Sequence, residues 1–351
     1  MDERKRQVLD AIIKDYITTA EPVGSRAVAK KYGLGVSPAT IRNEMSDLEE
    51  QGYIEQPHTS AGRCPSDKGY RFYVDYLMEK EELTLHEASF ITNALTSQMT
   101  EIEVLLRSAC QMLSKLANYP AMIVLPKLDK GKLEKIQLVP LNMSQALVVV
   151  LSDTGVVTHK VYNLSQQVEP LKLAAMEKYL QSKLGGLQID QLTYPPLKEI
   201  AGQMGEHEGL FAVALELMEQ VLLVDTEEKV FTSGSLNMLE HPEFRDTNRL
   251  KNVLGFLEQE TRLADILKPL KSERGTTVTI GMELPYETIK NCSMVVSTYG
   301  EDSSGGAQKN LGIIGVLGPT RMSYSKTISI VDFISGELNK IFSRPPNKHK
   351  Y

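Results

Sequence analysis

EPVGSRAVAKKYGLGVSPATIRNEMSDLEEQGYIEQPHTSAGRCPSDKGYR, residues 21–71, decides how the chain folds at its N-terminal end. The spacing predicts two helices joined by a short turn, followed by a two-stranded wing. Ser25 has a hydroxyl suited to an N-cap, and the helix behind it carries Arg26, Ala27, Val28, Ala29 and Tyr32. Gly33 and Gly35 break that helix and allow the backbone angles of a sharp turn. Ser37 then caps a second helix, with Pro38 at its first position, where a missing N–H costs nothing. Ile41, Met45 and Leu48 fall at i, i+4 and i+7, one inward stripe. The opposite face shows Ala39, Thr40, Arg42, Asn43 and Ser46, small or hydrogen-bonding groups without a carboxylate. Acids gather toward the far end, at Glu44, Asp47, Glu49 and Glu50. A helix laid out this way suits entry into the major groove by its N-terminal half. Arg42 can fork onto guanine O6 and N7, and Asn43 can pair with adenine N6 and N7.

Tyr53 to Gln56 reads as a short strand, His58 to Gly62 as a tip, and Arg63 onward as the return. Thr59 and Ser60 at that tip, followed by Arg63, Lys68 and Arg71, suit phosphate contact. Amphipathic helices and winged modules also serve protein contact, and that reading stays open beside DNA binding.

The run from Pro22 to Met78, with PATIRNEM, TSAGR and DKGYRFYVD, resembles the winged-helix end of HrcA, the heat-inducible transcription repressor family of bacteria. The likeness is dense over residues 1–80. It continues more weakly through LEHPEF (239–244) and GIIGVLGPTRMSY (312–324). The resemblance implies a homodimer on a double-stranded, inverted-repeat operator of chaperone operons, inactivated on heat stress. It also implies a chaperonin that keeps the repressor folded, and a GAF-like domain carrying an inserted dimerising domain. Cys64 stands where the family pattern leads one to expect an aliphatic residue; a buried Cys behaves as a small hydrophobe, so little changes.

A length of 351 residues with 42% hydrophobic and 24% charged side chains fits two or three folded domains. The net charge of −6 speaks against a generally basic nucleic-acid binder. Even residues 1–80 hold 12 Lys+Arg against 13 Asp+Glu, so charge must be segregated by face. Arg26, Lys30, Lys31, Arg42, Arg63, Lys68 and Arg71 are the cations expected to turn to DNA, with weak non-specific binding as the consequence. Three scattered cysteines (Cys64, Cys110, Cys292) fit a reducing compartment. His58 and Cys64 flank the wing tip but lack two further zinc ligands. The charged N-terminus is no signal peptide, and no apolar run spans a bilayer, so a cytoplasmic protein without membrane contact is expected.

In chain order, Val8, Leu9, Ile12, Ile13, Tyr16 and Ile17 give residues 3–19 a wide apolar helical face. The aromatic helix Asp67–Met78 is expected to pack rather than to stack on bases. Thr84 and Glu87 form a capping box for one long linker helix over 81–118, roughly 50 Å at 1.5 Å per residue. Its seam (Leu95, Met99, Ile102, Leu106, Ala109, Leu113, Leu116) fits a coiled seam or packing on a sheet, the latter favoured. Strands are expected at 121–125, 132–139, 145–151, 156–162, 276–283, 294–299 and 311–317, with helices over 171–184 and 324–342. The fold class is thus α+β and multidomain: a winged helix-turn-helix over 1–80, a GAF-like domain from 119–186 with 273–343, and a mostly helical insert over 187–272. In the insert, Leu210–Val224 is apolar nearly all round, and Leu210, Val213, Leu217 and Val221 are the expected dimer contacts.

GxxxxGK[ST], GxGxxG and HExxH do not occur. Ser303-Ser304-Gly305-Gly306 reads as a loop rather than an anion site, and His241 in LEHPEF as structural, with Pro242 opening a helix. No nucleophile–base pair follows from spacing, so neither enzyme, cofactor nor metal is expected. Two competing functions remain at this level. One is a winged-helix repressor regulated by a small-molecule ligand of the GAF-like domain; the other is a protein-contact adaptor.

Overall fold

The computed structural model describes residues 1–58, 61–96, 102–125, 131–164, 167–189, 229–259, 263–267, 275–302 and 308–343. The first three helices are α1 (Glu3–Thr19), α2 (Ser25–Tyr32) and α3 (Pro38–Glu50). Their apolar stripes meet in one core of Val8, Leu9, Ile12 and Ile13 with Val28, Ile41, Met45 and Leu48, all buried. Each such aliphatic side chain withdrawn from water contributes about 1.5–3 kcal/mol. A short hairpin follows, β1 (Ile54–Glu55) antiparallel to β2 (Cys64–Pro65). Next comes α4 (Asp67–Phe72), which widens into a π-helical turn over Tyr73–Leu77.

The aromatic residues of this segment pack as expected. Tyr70 and Tyr73 are buried, and the Tyr70 ring meets that of Tyr324, centroid to centroid 5.8 Å. Two helices then run as α5 (Leu85–Thr96) and α6 (Ile102–Ala117). The capping box closes α5: Thr84 N–H donates to Glu87 Oε2 at 3.0 Å, and Glu87 N–H to Thr84 Oγ1 at 3.2 Å. The single rod expected over 81–118 is corrected here, because α5 and α6 pack against each other. In one straight helix Thr96 and Ile102 would already lie about 9 Å apart along the axis, and residues beyond them farther. The seam residues Leu95, Leu106, Ala109 and Leu113 are buried within the chain.

A five-stranded antiparallel sheet forms the body, in the order β7 (Val230–Ser233), β3 (Ala121–Val124), β10 (Gln308–Pro319), β9 (Cys292–Asp302), β8 (Thr277–Ile280). The closing helix α9 (Tyr324–Phe342) covers one face with Tyr324, Thr327, Ile330, Val331, Ile334 and Leu338, a helical stripe. On the other face Met238, Phe244 and the helix α8 (Thr247–Leu257) pack Val253 and Phe256 against Met294, Val296 and Leu317.

The remaining strands, β4 (Leu133–Asn142), β5 (Gln145–Ser152) and β6 (Val157–Asn163), make a separate three-stranded sheet. With α7 (Pro170–Leu184) it encloses its own core of Leu133, Ile136, Val148, Val150, Leu173 and Leu180. Two α7 side chains also meet its outer strand: Ile136 N–H donates to Gln181 Oε1 and Leu138 N–H to Glu177 Oε2, both 2.8 Å. The strands over 132–162, expected in one GAF-like domain with those over 276–317, thus pair in a sheet of their own. It also returns 229–257, assigned to the insert from sequence, to the larger sheet. The chain leaves that sheet after Val124 and rejoins it at Val230. Residue patterns report the period of a strand and its inward face but not its neighbour.

Candidate nucleic-acid interface

The site is built on α3. Gly33 (φ +58°) and Gly35 (φ +70°) take the left-handed angles of the turn between α2 and α3. Ser37 is the N-cap, its Oγ accepting from Thr40 N–H at 3.2 Å, with Pro38 in the first turn. Ile41, Met45 and Leu48 point into the core, which turns Ala39, Arg42, Asn43 and Ser46 to solvent and leaves Thr40 half-buried. Arg42 and Asn43 have no side-chain partner among the described residues, so both keep their hydrogen-bonding capacity for a ligand. Ser25 is corrected by one position: the N-cap of α2 is Gly24, and Ser25 is the first helical residue, half-buried beside exposed Arg26.

Two of the four acids of α3, Glu44 and Asp47, are paired from the neighbouring helix. Lys5 of α1 reaches Glu44 at 3.2 Å and Asp47 at 3.1 Å, with Asp2 also at 3.1 Å. Hydrogen bonds to Asp2, Asp47 and Glu44 raise the pKa of its ammonium. Glu44 and Asp47 are thereby drawn to Lys5, while Arg42 stays free in the N-terminal half. Sequence reasoning missed Lys5, because no period relates a residue of α1 to the outer edge of α3.

Four of the seven cations expected to face DNA have partners inside the protein. Lys31 pairs with Asp15. Arg63 donates from Nε to Glu49 Oε2 at 2.9 Å. Lys68 donates to the Gln51 carbonyl at 2.8 Å and lies 4.5 Å from the Tyr53 ring centroid, which caps the exit of α3. Arg71 turns to the body, donating to Glu283 Oε1 at 2.8 Å and to the Val278 carbonyl at 2.6 Å. Arg63, Lys68 and Arg71, expected to meet phosphates, thus each carry a carboxylate or carbonyl partner within the protein. Arg26, Lys30 and Arg42 remain exposed without a partner among the described residues. Thr59 and Ser60 at the wing tip lie outside the described residues, as do Leu210, Val213, Leu217 and Val221.

α4 fastens this end to the body. Asp67 accepts from Met282 N–H at 2.9 Å, beside the Arg71–Glu283 pair. Burial alone pushes the Glu283 carboxyl up, but hydrogen bonds from Arg71 and from Ile280 N–H outweigh it, and the group titrates below the ordinary carboxylate range. A depressed folded pKa stabilises the fold above the unfolded carboxylate value of about 4.3. That contribution is lost as pH falls through the folded value. The pair is partly exposed, so screening limits it to about 0.5–1 kcal/mol. Glu283→Gln should therefore flatten the fall of the urea midpoint between about pH 5 and pH 3. Equal slopes for variant and parent would remove Glu283 from the acid response.

The two later motifs meet in space. Glu243 of LEHPEF pairs with Arg321 of GPTRMSY at 2.6 Å, and Arg321 also donates to the Ile17 carbonyl at the end of α1. His241 stacks on Tyr119 with centroids 4.9 Å apart, and Pro242 opens a 3-10 turn, in line with a structural histidine. Burial pushes the Cys64 thiol up to about 11 and those of Cys110 and Cys292 up to about 12, so none is an activated nucleophile. Among the described residues no helix is long and apolar enough to cross a membrane.

Residues 103–328 match the family described as the HrcA protein C terminal domain. The heat-inducible transcription repressor HrcA of Pelotomaculum thermopropionicum is 44% identical over 344 residues, covering 98% of this chain and 97% of that protein. Its counterpart in Desulforamulus reducens is 43% identical, covering 98% of both. A crystal structure of a hypothetical protein, 25% identical, superposes with a TM-score of 0.66 over 98% of this chain and 99% of that one. An α+β body with one capped, polar helix held clear of its own acids, in a chain with these relatives, defines a transcription repressor. The chain belongs to the HrcA family of heat-inducible transcription repressors.

Proposed function

We propose that the chain represses heat-shock (chaperone) operons by binding an inverted-repeat duplex operator as a homodimer, and that it loses this activity on heat stress. α1 to α3 with the β1–β2 hairpin act as a winged helix-turn-helix. Arg42 and Asn43 read base edges, Ala39 and Ser46 line the same face, and Ser37, Thr40, Ser25 and Arg26 lie toward the backbone. Thr59 and Ser60, which follow β1 in sequence, are assigned to phosphate contact. The larger sheet with α9 is the GAF-like domain, and the chain between Val124 and Val230 carries the dimer contact. A chaperonin that maintains the folded repressor is the partner that the family resemblance implies.

The observation that carries this reading is the pair Arg42–Asn43: adjacent, exposed and unpartnered among the described residues, on a capped helix whose nearest acids, Glu44 and Asp47, are engaged by Lys5. Selection from a pool of random duplexes tests it. An enriched inverted repeat is expected, and a pool that stays random after repeated rounds would sink the proposal.

Ser37→Asp probes the helix end. An aspartate still caps, worth about 1 kcal/mol, but adds a charge where a phosphate approaches the helix N-terminus. The variant should melt like the parent and bind the selected operator poorly. Parental affinity would place this end of α3 away from the phosphates.

A further inference from the structure

Arg63 is free to contact DNA in sequence, but in the structure it joins three elements. Its backbone pairs with Val23, just ahead of α2, through Val23 N–H to Arg63 O at 2.8 Å and Arg63 N–H to Val23 O at 2.9 Å. Its guanidinium grips Glu49 in the last turn of α3, from Nε at 2.9 Å and from a terminal nitrogen at 2.7 Å. Gly62, immediately before it, allows this approach, since a Cβ there would come within 2.6 Å of the Pro22 and Val23 backbone. Other contacts between hairpin and helix lie at the stem: Ser66 Oγ to the Gly52 carbonyl at 2.6 Å, and Lys68 to the Gln51 carbonyl. Among the described residues, Arg63 is the side chain nearest the wing tip that ties the returning strand to α3.

We infer that Glu49 and Arg63 are positioning residues for DNA recognition: their ion pair sets the wing against the recognition helix, so that helix and wing meet one duplex together. This rests on the DNA-binding reading above. Two nitrogens of one planar guanidinium converge on the same oxygen, Glu49 Oε2, which fixes direction as well as distance, as an ammonium does not. A wing released from α3 would have to be ordered again at each binding event, and that ordering is subtracted from affinity.

The test turns on the sign of an electrostatic effect. Glu49 carries a negative charge on the helix that approaches a polyanion, so its neutralisation should by simple charge tighten binding. A positioning role predicts the reverse. In the full-length protein, Glu49→Gln should bind the selected operator on the order of tenfold more weakly. Hydroxyl-radical protection should be lost under the wing and kept under α3. Arg63→Lys retains the charge and should weaken binding to a similar degree, whereas a direct phosphate contact would survive that change. Thermal melts accompany both variants, and Glu49→Asp stands in if Glu49→Gln melts early. Parental or tighter binding by Glu49→Gln overturns the inference. So does parental binding by Arg63→Lys, or a uniform loss of protection under wing and helix alike. If the parent protein itself selects no duplex, the DNA-binding reading fails first, and that result is distinct from all of these.

Discussion

Arg42→Ala should lose about 1–3 kcal/mol of operator affinity, up to roughly a hundredfold, and relax preference at one or two base pairs. Asn43→Ala should do the same at a neighbouring position. The expectation rests on exposure and on the absence of an internal partner among the described residues, so that truncation leaves the fold intact. Titration of each variant against the selected operator and its single-base variants gives the readout. Arg26→Ala offers the contrast: a backbone contact should weaken all sequences alike and reduce the salt slope. An Arg42→Ala protein that melts normally and binds with parental affinity and preference would place α3 outside the groove.

Leu217→Lys should have the larger effect. One wing and helix cover a single half-site, and two linked modules on one duplex gain effective concentration by factors on the order of 10²–10⁴. Leu217 belongs to the apolar run Leu210–Val224, and an ammonium in a buried contact there would be unpaired. Sedimentation, circular dichroism and operator titration, run together, separate loss of assembly from loss of fold. A folded monomer should keep weak half-site binding and lose most of its operator affinity. A folded dimer would move the contact elsewhere in the chain. It would not move it to the Leu95–Leu116 seam, because Leu95, Leu106, Ala109 and Leu113 are already buried internally.

The helix pair was legible because its determinants are local. Ser37 caps, Pro38 opens the first turn, Gly33 and Gly35 turn the chain, and the stripe Ile41–Met45–Leu48 follows from a 3.6-residue period. The same holds for the Thr84–Glu87 box and for α9. The candidate site was legible to the same depth, in its exposed face and no farther. Arg63, Lys68 and Arg71 resembled Arg42 in composition and in setting, yet their partners Glu49, the Gln51 carbonyl and Glu283 lie 14, 17 and 212 residues away.

By itself the amino-acid sequence determined most of the helices and strands, though not β7, which side of each is apolar, and which family the motifs resemble. Tertiary structure alone decided which cations remain free, that β4 to β6 close on α7 instead of joining the larger sheet, and that α5 and α6 pack against each other. The physical reason is common to all three. Propensity, capping and periodicity act between residues a few positions apart, whereas ion pairing and strand neighbourhood depend on which distant surfaces the chain brings together.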